Sequence, residues 1–461
     1  MDQSTNKDIQ QEADAFKNKC QNIDIQAESN GDKKYEEVQT EENASIENGQ
    51  RYIELVNDMT EKLKNLEPPL STDCCIYRVP YHLRKLSEES YTPKVVSIGP
   101  FHHGNTRLQT MEKKKVRCLN SFLKRVGLNL ENLVSTIKQL EGRIRGYYEE
   151  TIQLNSNDFV KVILLDVSFI LEMFWKNAEP AWSSDLSPRL CNSLATDFIL
   201  LENQIPFFII EKLFDLAFPF LQNSPSLIRL TFLFFTHFNV QNFDPIPNME
   251  IKHFTDLVRI FQLPPPQRLK TERNKVIGHL YSATQLHEAG VKFKVSRSKC
   301  LLDLKFTNGV LEIPCICLED RTETLTRNLL AFEQCHFFEE AYITDYYFIL
   351  DFLINTTRDV DLLCDKGIMV NYLGDSSAAT SMVNNLQSEI VWTDLSSDYC
   401  RLSEALNEFY DNPWHSWKAT LRREYFSTPW RTASTIAAII FLVLTMIQTV
   451  CSIIQVVPKH K

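Results

Sequence analysis

The sequence predicts a mainly α-helical globular body with a small antiparallel β insertion and one C-terminal transmembrane helix. Three observations carry this prediction: long segments with helical hydrophobic spacing, a short alternating region around 291–317, and a charge-free run near the C-terminus. The 461 residues include 44% hydrophobic residues and 29 phenylalanines, which is enough apolar material to fill a large core. The chain therefore has the composition of a globular protein.

The first 50 residues differ in composition from the rest of the chain. They carry 12 acidic and 5 basic side chains, so they account for −7 of the net charge of −10 and the other 411 residues for only −3. Their polar sequence lacks apolar periodicity and predicts a disordered acidic leader over 1–50. The body, expected over 51–428, is nearly neutral and has no basic stripe, so no nucleic-acid partner is expected.

Helical spacing of apolar residues begins at about Tyr52 and stops at Pro68. It returns over 107–127, where Gly127 predicts the end of a helix. The buried stripe predicted for that second helix consists of Leu108, Met111, Val116, Leu119 and Leu123.

Two later segments, 158–175 and 190–214, are apolar nearly all round and predict central helices, the second interrupted before Pro206. The region 291–317 then alternates between apolar and polar residues. Asn308-Gly309 stands within it and is the strongest short signal for a hairpin turn. We therefore expect a small antiparallel sheet there, followed by further helices from about residue 322 onward.

The last long apolar segment runs from Thr432 to Val457, 26 residues without a charge. As a helix it would be about 39 Å long, against a hydrocarbon core of about 30 Å. We predict a transmembrane anchor with a short basic tail over 429–461. Residues of this predicted anchor include Thr432, Ile436, Phe441, Met446 and Val457.

Basic residues around this anchor predict its orientation. Lys418, Arg422, Arg423 and Arg431 precede it, whereas Lys459 and Lys461 follow it. The positive-inside rule therefore favours a cytoplasmic body in the plasma membrane or an endomembrane. The N-terminus has no apolar core of a cleavable signal, which agrees with this expectation. The predicted partners are membrane lipid, through the helix, and a protein.

Twelve cysteines are spread along the chain without a CxxC spacing. Cys74 and Cys75 are adjacent, and Cys315 and Cys317 form a CxC pair. Without the dense spacing of a small disulfide-rich domain, this distribution predicts reduced, mostly buried thiols in a reducing compartment.

Several long motifs in the body resemble the plant domain-of-unknown-function 247 family. The resemblance spans about 52–457 and implies a single C-terminal membrane segment with no established enzymatic activity. Some family members are implicated in pollen self-incompatibility recognition in grasses, which implies a recognition role. The motifs are IYRVPYHLRKLSEESYTPKVVSIGPFHHG (76–104), LLENQIPFFIIEKLF (200–214), LLDLKFTNGVLEIPCI (301–316), NLLAFEQC (328–335) and NYLGDSSAATSMVNNL (371–386).

Two adjacent histidines, His102 and His103, are the weak candidates for a metal site. They follow Gly99-Pro100 and precede Gly104, and a metal would need further ligands from elsewhere in the fold. The interpretation we favour is a turn fixed by the proline and the glycines, with imidazoles that hydrogen-bond to backbone carbonyls.

Two ExxH motifs resemble half-sites of helical di-iron proteins, which also need two glutamates on other helices. They are Glu250-x-x-His253 and Glu333-x-x-His336, with Glu172 and Glu202 as the additional acids. The ordinary alternative is that these carboxylates pair with buried Arg or Asn groups.

Three pairs of acids close apolar runs: Asp166 with Glu172, Asp197 with Glu202, and Asp345 with Asp351. Their offsets of five or six residues do not place both acids on one helix face, so paired acid–base catalysis within a helix is not predicted. Helix capping by Asp197 and buried hydrogen bonding by Glu202-Asn203-Gln204 are expected instead.

The sequence contains no P-loop, GxGxxG, HExxH or GxSxG motif. We therefore predict no cofactor and no catalytic residue. The function predicted from sequence is a membrane-anchored recognition or signalling module that binds a protein partner. The alternative is a helical metalloenzyme that uses the His102-His103 loop or the buried carboxylates.

Overall fold

The computed structural model describes residues 50–64, 70–179, 188–218, 225–246, 249–269, 272–275, 278–392, 394–414, 425 and 429–456. The chain divides into two compact units, 1–69 and 70–461. In the first unit, residues 50–64 form helix α1, which matches the predicted start of helical structure. The predicted disordered leader lies almost entirely outside the described residues.

The second unit is mainly helical, as predicted. Its helices are α2 (Tyr81–Arg84), α3 (Gln109–Val126), α4 (Leu130–Arg145), α5 (Ser156–Ala178), α6 (Pro188–Phe198), α7 (Phe207–Ala217), α8 (Leu227–Phe234), α9 (Phe254–Gln262), α10 (Ala283–Glu288), α11 (Asp320–His336), α12 (Tyr342–Leu353), α13 (Thr357–Asp365), α14 (Ser376–Leu386), α15 (Ser397–Asp411) and α16 (Pro429–Val456).

Helix α5 lies at the centre of the first half of this unit. The Asn155 side chain caps it by accepting the backbone N–H of Asp158. Nearly every residue from Phe159 to Phe174 is buried, because α3, α4, α7 and α8 all pack around this helix. Its sequence, which is apolar nearly all round, thus marks a core helix, as predicted.

Helix α3 corrects one prediction about the buried stripe. It ends at Gly127 in the left-handed conformation (φ 65°), as expected, but Val116 is 55% exposed. The buried face consists of Met111, Lys115, Cys118 and Phe122. These positions have helical spacing. One of them is a lysine, so the core-facing stripe includes a charged residue, which the pattern of apolar residues alone does not predict.

The interruption predicted before Pro206 separates α6 from α7. The connecting segment, residues 199–206, is not helical and is buried throughout. Buried backbone groups need hydrogen-bond partners, and the polar side chains of Glu202-Asn203-Gln204 inside this segment can provide them. Its contacts are described with the candidate site.

Among the described residues, seven short strands form three small sheets. The strands are β1 (Arg273–Lys275), β2 (Lys292–Val295), β3 (Lys305–Thr307), β4 (Val310–Ile313), β5 (Ile316–Leu318), β6 (Met369–Asn371) and β7 (Asp394–Ser396). β2, β4 and β3 form the sheet predicted near 291–317, whereas the pairs β1–β7 and β5–β6 were not predicted. Each strand of these two pairs has only three residues, which is too short to show the alternation of apolar and polar residues that predicts a strand.

The β3–β4 hairpin confirms the Asn308-Gly309 signal, since both residues have positive φ (52° and 74°) as a tight two-residue turn requires. β2 runs parallel to β4, so this sheet is mixed and not purely antiparallel as predicted. One continuous hydrophobic core extends from Cys75 to Leu406 and includes residues of both the helices and the strands.

Helix α16 contains a 25-residue segment, Pro429–Ile453, that is long and apolar enough to cross a membrane. None of its most apolar stretch is buried, and Phe441 and Met446 are 70% and 67% exposed. A core helix of a soluble protein buries its apolar face, whereas α16 exposes apolar side chains on all sides.

Candidate functional site

The segment with the two histidines, residues 94–104, is called the histidine loop below. Its start is held by Asp197, whose carboxylate accepts the backbone N–H groups of Lys94, Val95 and Val96 at 3.0, 2.6 and 2.8 Å. The prediction that Asp197 caps a helix is therefore wrong. It lies near the end of α6 and accepts hydrogen bonds from backbone N–H groups in a distant part of the chain.

Asn203 holds the middle of the histidine loop. Its side-chain oxygen accepts the N–H of Ile98 at 2.7 Å, and its amide donates to the carbonyls of Val96 and Asp197 at 3.1 and 2.9 Å. Both N–H donors and the oxygen of this buried amide thus have partners, which confirms the predicted role of the polar triplet in buried hydrogen bonding.

Gly99 makes the closest backbone approach in the loop. Its φ is +73°, and its N–H donates to Asp166 at 2.8 Å. A Cβ atom at this position would lie 2.3 Å from the backbone oxygen of Gln204. Only glycine fits this conformation and this contact, so the Gly-Pro step is a packing requirement.

Beneath the loop, Lys115 and Asp166 form a buried ion pair. The Lys115 ammonium contacts the Asp166 carboxylate, Glu112 at 2.6 Å and the carbonyl oxygen of Ser97. Burial raises the pKa of Asp166 to about 6, and Lys115 opposes this shift. The lysine on the core-facing stripe of α3 therefore compensates a carboxylate on α5 and a loop carbonyl at the same time.

His102 lies in a cluster with one carboxylate and two guanidinium groups. Its Nε2 is 3.5 Å from Oε2 of Glu202, which also pairs with Arg78 at 3.1 Å and Arg84 at 2.7 Å. Burial, together with both arginines, lowers the pKa of His102 to about 4. The imidazole is neutral near pH 7 and faces a carboxylate, not a backbone carbonyl as predicted.

His103 is exposed and, together with His102, lines a cleft of about 430 Å³ that also includes Glu112, Lys113, Asp158 and Lys161. His102 contacts Glu202, whereas within the described residues His103 has no such carboxylate contact, and the two do not form a group of three metal-ligating side chains. The loop is a turn, as favoured from the sequence, with the N–H of His103 donating to the carbonyl of Pro100 at 3.3 Å.

Glu333 of the second ExxH motif is fully buried and has four donors. It accepts from Arg259 Nε at 3.0 Å, from the N–H of Ile343 at 3.2 Å, and from the N–H and hydroxyl of Thr344, both at 2.8 Å. His336 of the same motif contacts the Tyr77 hydroxyl through Nδ1 at 2.8 Å. The motif links α11 to other elements of the core, as the ordinary alternative predicted.

His253 of the first ExxH motif caps α9 and is fully buried. Its Nδ1 accepts the N–H of Asp256 at 3.3 Å, and its Nε2 contacts the carbonyl oxygen of Cys75 at 3.0 Å. Burial lowers its pKa to about 3, which keeps the ring neutral. With a donor facing Nδ1 and an acceptor facing Nε2, both nitrogens are occupied within the protein.

The other buried acids are also paired. Glu172 accepts from Arg125 at 3.1 and 3.3 Å. Asp345 accepts from Arg273 at 2.7 Å and from the N–H of Ser396 at 3.1 Å, and burial raises its pKa to about 7. Within the described residues, no three His, Cys, Asp or Glu side chains converge as a metal site would require.

Sequence reasoning identified the buried acids but missed the cations that compensate them: Arg78, Arg84, Lys115 and Arg259. One signal was available, because Lys115 occupies a position that helical spacing from Met111 and Cys118 assigns to the core face. A cation at such a position needs a buried anion. The arginines had no comparable local signal.

These contacts and α16 together define a class: a mainly α-helical protein whose buried charges stabilise the fold, with a C-terminal helix long enough to cross a membrane. Residues 76–444 match the model of the DUF247 family, described as "Plant protein of unknown function". The chain belongs to this family, as the sequence motifs indicated.

Two relatives from Arabidopsis thaliana support this assignment. The UPF0481 protein At3g47200 is 28% identical over 432 residues, which cover 86% of this chain and 90% of the relative. The putative UPF0481 protein At3g02645 is 24% identical over 472 residues, which cover 81% of this chain and 89% of the relative. No solved structure is significantly similar to this chain.

Proposed function

We propose that this protein is a single-pass membrane protein whose helical body recognises a protein partner without catalysis. The observation that carries the proposal is α16, a 28-residue helix with exposed apolar side chains. At 1.5 Å per residue it is about 42 Å long, which exceeds a hydrocarbon core of about 30 Å. Exposing such a surface to water is unfavourable, whereas lipid accommodates it.

The residues at the ends of α16 support the same proposal. Trp430 is 85% exposed next to Arg431, a combination typical of the membrane–water interface. Of the residues named for the predicted anchor, Ile436, Phe441 and Met446 are all exposed, while Val457 lies outside the described residues. Their exposure distinguishes this helix from a core helix such as α5.

The proposed lack of catalysis is supported by how the buried acidic side chains are used. Glu202, Glu333, Asp166 and Asp197 each accept hydrogen bonds or ion pairs from the protein itself. Groups committed in this way are not free to act as a nucleophile or a general base. The two guanidinium groups beside Glu202 also make the surroundings of His102 unfavourable for a metal cation.

The anchor is tested by membrane extraction. We expect the full chain to remain in the membrane pellet after alkaline carbonate treatment, and a variant lacking 429–461 to move to the supernatant. A matched control lacks residues 1–49 and should stay in the pellet. If the full chain is released by carbonate without detergent, the proposed anchor is wrong.

The orientation of the body is tested at Asn355, which is exposed and begins the sequon Asn355-Thr356-Thr357. A cytoplasmic body predicts no glycosidase-sensitive mass shift at this site, and the Asn355→Gln variant should migrate identically. A sequon added after Lys461 should be glycosylated, because the short tail would lie across the membrane. Glycosylation at Asn355 would reverse the orientation.

Proximity labelling tests the partner. A ligase attached to the body should label a specific protein, whereas the same ligase attached to residues 429–461 alone should label only general membrane neighbours. If both fusions label the same set of proteins, the body contributes no recognition.

A further inference from the structure

Cys315 and Cys317 form a pair of exposed thiols that the proposed function does not use. They alternate with Pro314, Ile316 and Leu318, which are buried. Side chains two residues apart on an extended segment point to the same side. Both thiols therefore lie on the same, solvent-facing side of residues 315–317, the segment that leads into β5.

The structure holds the two exposed thiols two residues apart on one side of the segment. The backbone of this segment is fixed by pairing with β6, because the N–H of Ile316 donates to the carbonyl of Ile368 and the carbonyl of Leu318 accepts from the N–H of Tyr372, both at 2.8 Å. The Thr322 hydroxyl also donates to the Cys317 carbonyl at 3.4 Å. The pair is thus held by a rigid element and is accessible from solvent.

We propose that Cys315 and Cys317 form a two-coordinate site for a soft monovalent metal ion, with Cu(I) as the ion that fits it. Thiolates are the ligands that soft ions such as Cu(I) select. Zn(II) prefers four tetrahedral ligands, and within the described residues no third His, Cys, Asp or Glu joins this pair. Two thiolates alone satisfy an ion of low coordination number.

Binding replaces the thiol protons with the metal. One Cu(I) joins two thiolates, and two protons pass to water, so no oxidant or reductant is consumed. Because a cysteine thiol is ordinarily protonated near neutral pH and binding releases both protons, the affinity for Cu(I) should increase as the pH rises.

The test is a competition titration of the full detergent-solubilised chain with Cu(I) bound to a chromophoric chelator, under a non-thiol reductant. We expect the wild type to remove one more equivalent of Cu(I) from the chelator than either Cys315→Ser or Cys317→Ser. Cys364→Ser is the matched control, because Cys364 is a partly exposed thiol outside this pair, and it should retain the wild-type stoichiometry.

Thermal unfolding of the variants controls for folding, and both serine variants should unfold at the wild-type temperature because the thiols are exposed. Equal Cu(I) stoichiometry in the wild type and both pair variants would overturn the proposal. A preference of the pair for Zn(II) over Cu(I) would also overturn it, because it would require a four-ligand site. Neither outcome depends on whether α16 crosses a membrane.

Discussion

Replacing Gly99 with alanine is expected to lower the free energy of unfolding by about 2–5 kcal/mol. The left-handed backbone (φ +73°) costs an alanine about 1–2 kcal/mol, and forcing a side chain into a packed position costs about 1–3 kcal/mol more. The new Cβ would lie 2.3 Å from the backbone oxygen of Gln204, which cannot move without disturbing the buried segment 199–206. Urea unfolding followed by tryptophan fluorescence measures the loss.

Gly104 provides the matched control for this prediction. It ends the same loop with φ +85°, but a Cβ atom there would have no neighbour within 4 Å. Gly104→Ala should therefore cost only the backbone part, about 1–2 kcal/mol. Equal losses in the two variants would show that the contact between Gly99 and Gln204 does not constrain the loop.

Replacing Lys115 with methionine is expected to lower the free energy of unfolding by about 3–5 kcal/mol at neutral pH, because it leaves the Asp166 carboxylate buried without its cation. Methionine preserves most of the apolar stem, so the loss of charge dominates the effect. The exposed Lys113 on the same helix is the control, and Lys113→Met should change stability by less than about 0.5 kcal/mol.

The effect of Lys115→Met should depend on pH in a defined direction. The pKa of Asp166 in the folded wild type, about 6, already exceeds the ordinary value of 3.8, and removing Lys115 raises it further. A folded-state pKa above the unfolded value means that the folded protein binds the extra proton, so stability falls as pH rises through this range.

The stability deficit of Lys115→Met relative to the wild type should therefore be largest at the high end of the pH range, shrink as the pH falls toward 6, and level off below about pH 6, where Asp166 is protonated in both folded proteins. Urea unfolding of both proteins at pH 5, 6, 7 and 8 measures this difference. A deficit that stays constant over this range would mean that Lys115 stabilises the fold by packing alone and not through the charge of Asp166.

Much of the helical framework was predictable because helix signals are local. The apolar face of α5, the Gly127 cap of α3 and the Asn308-Gly309 hairpin each depend on neighbours within a few residues. The parallel pairing of β2 with β4 was not predictable in this way. Strand direction depends on how the intervening chain returns to the sheet, and four-residue strands carry no signal for it.

The candidate site was predictable in its residues but not in its contacts. The polar triplet before Pro206 and the histidine pair are visible in the sequence, yet the partners of Asp197 and His102 lie about 100 residues away along the chain. Judged by its neighbours in sequence alone, Asp197 would cap a helix, because capping is the common local role of an aspartate. In the structure its carboxylate instead accepts three backbone N–H groups of the histidine loop.

The apolar C-terminal helix follows from the sequence alone, since length, composition and flanking charges all belong to one continuous segment. The turn at residues 99–104 follows from its glycines and proline in the same way. The pairing of the buried charges, Lys115 with Asp166, Glu202 with Arg84 and Glu333 with Arg259, depends on the folded chain. The physical reason is that backbone propensity and hydrophobic periodicity act between neighbours, whereas a buried charge is stabilised by whatever partner the folded chain brings within a few ångströms.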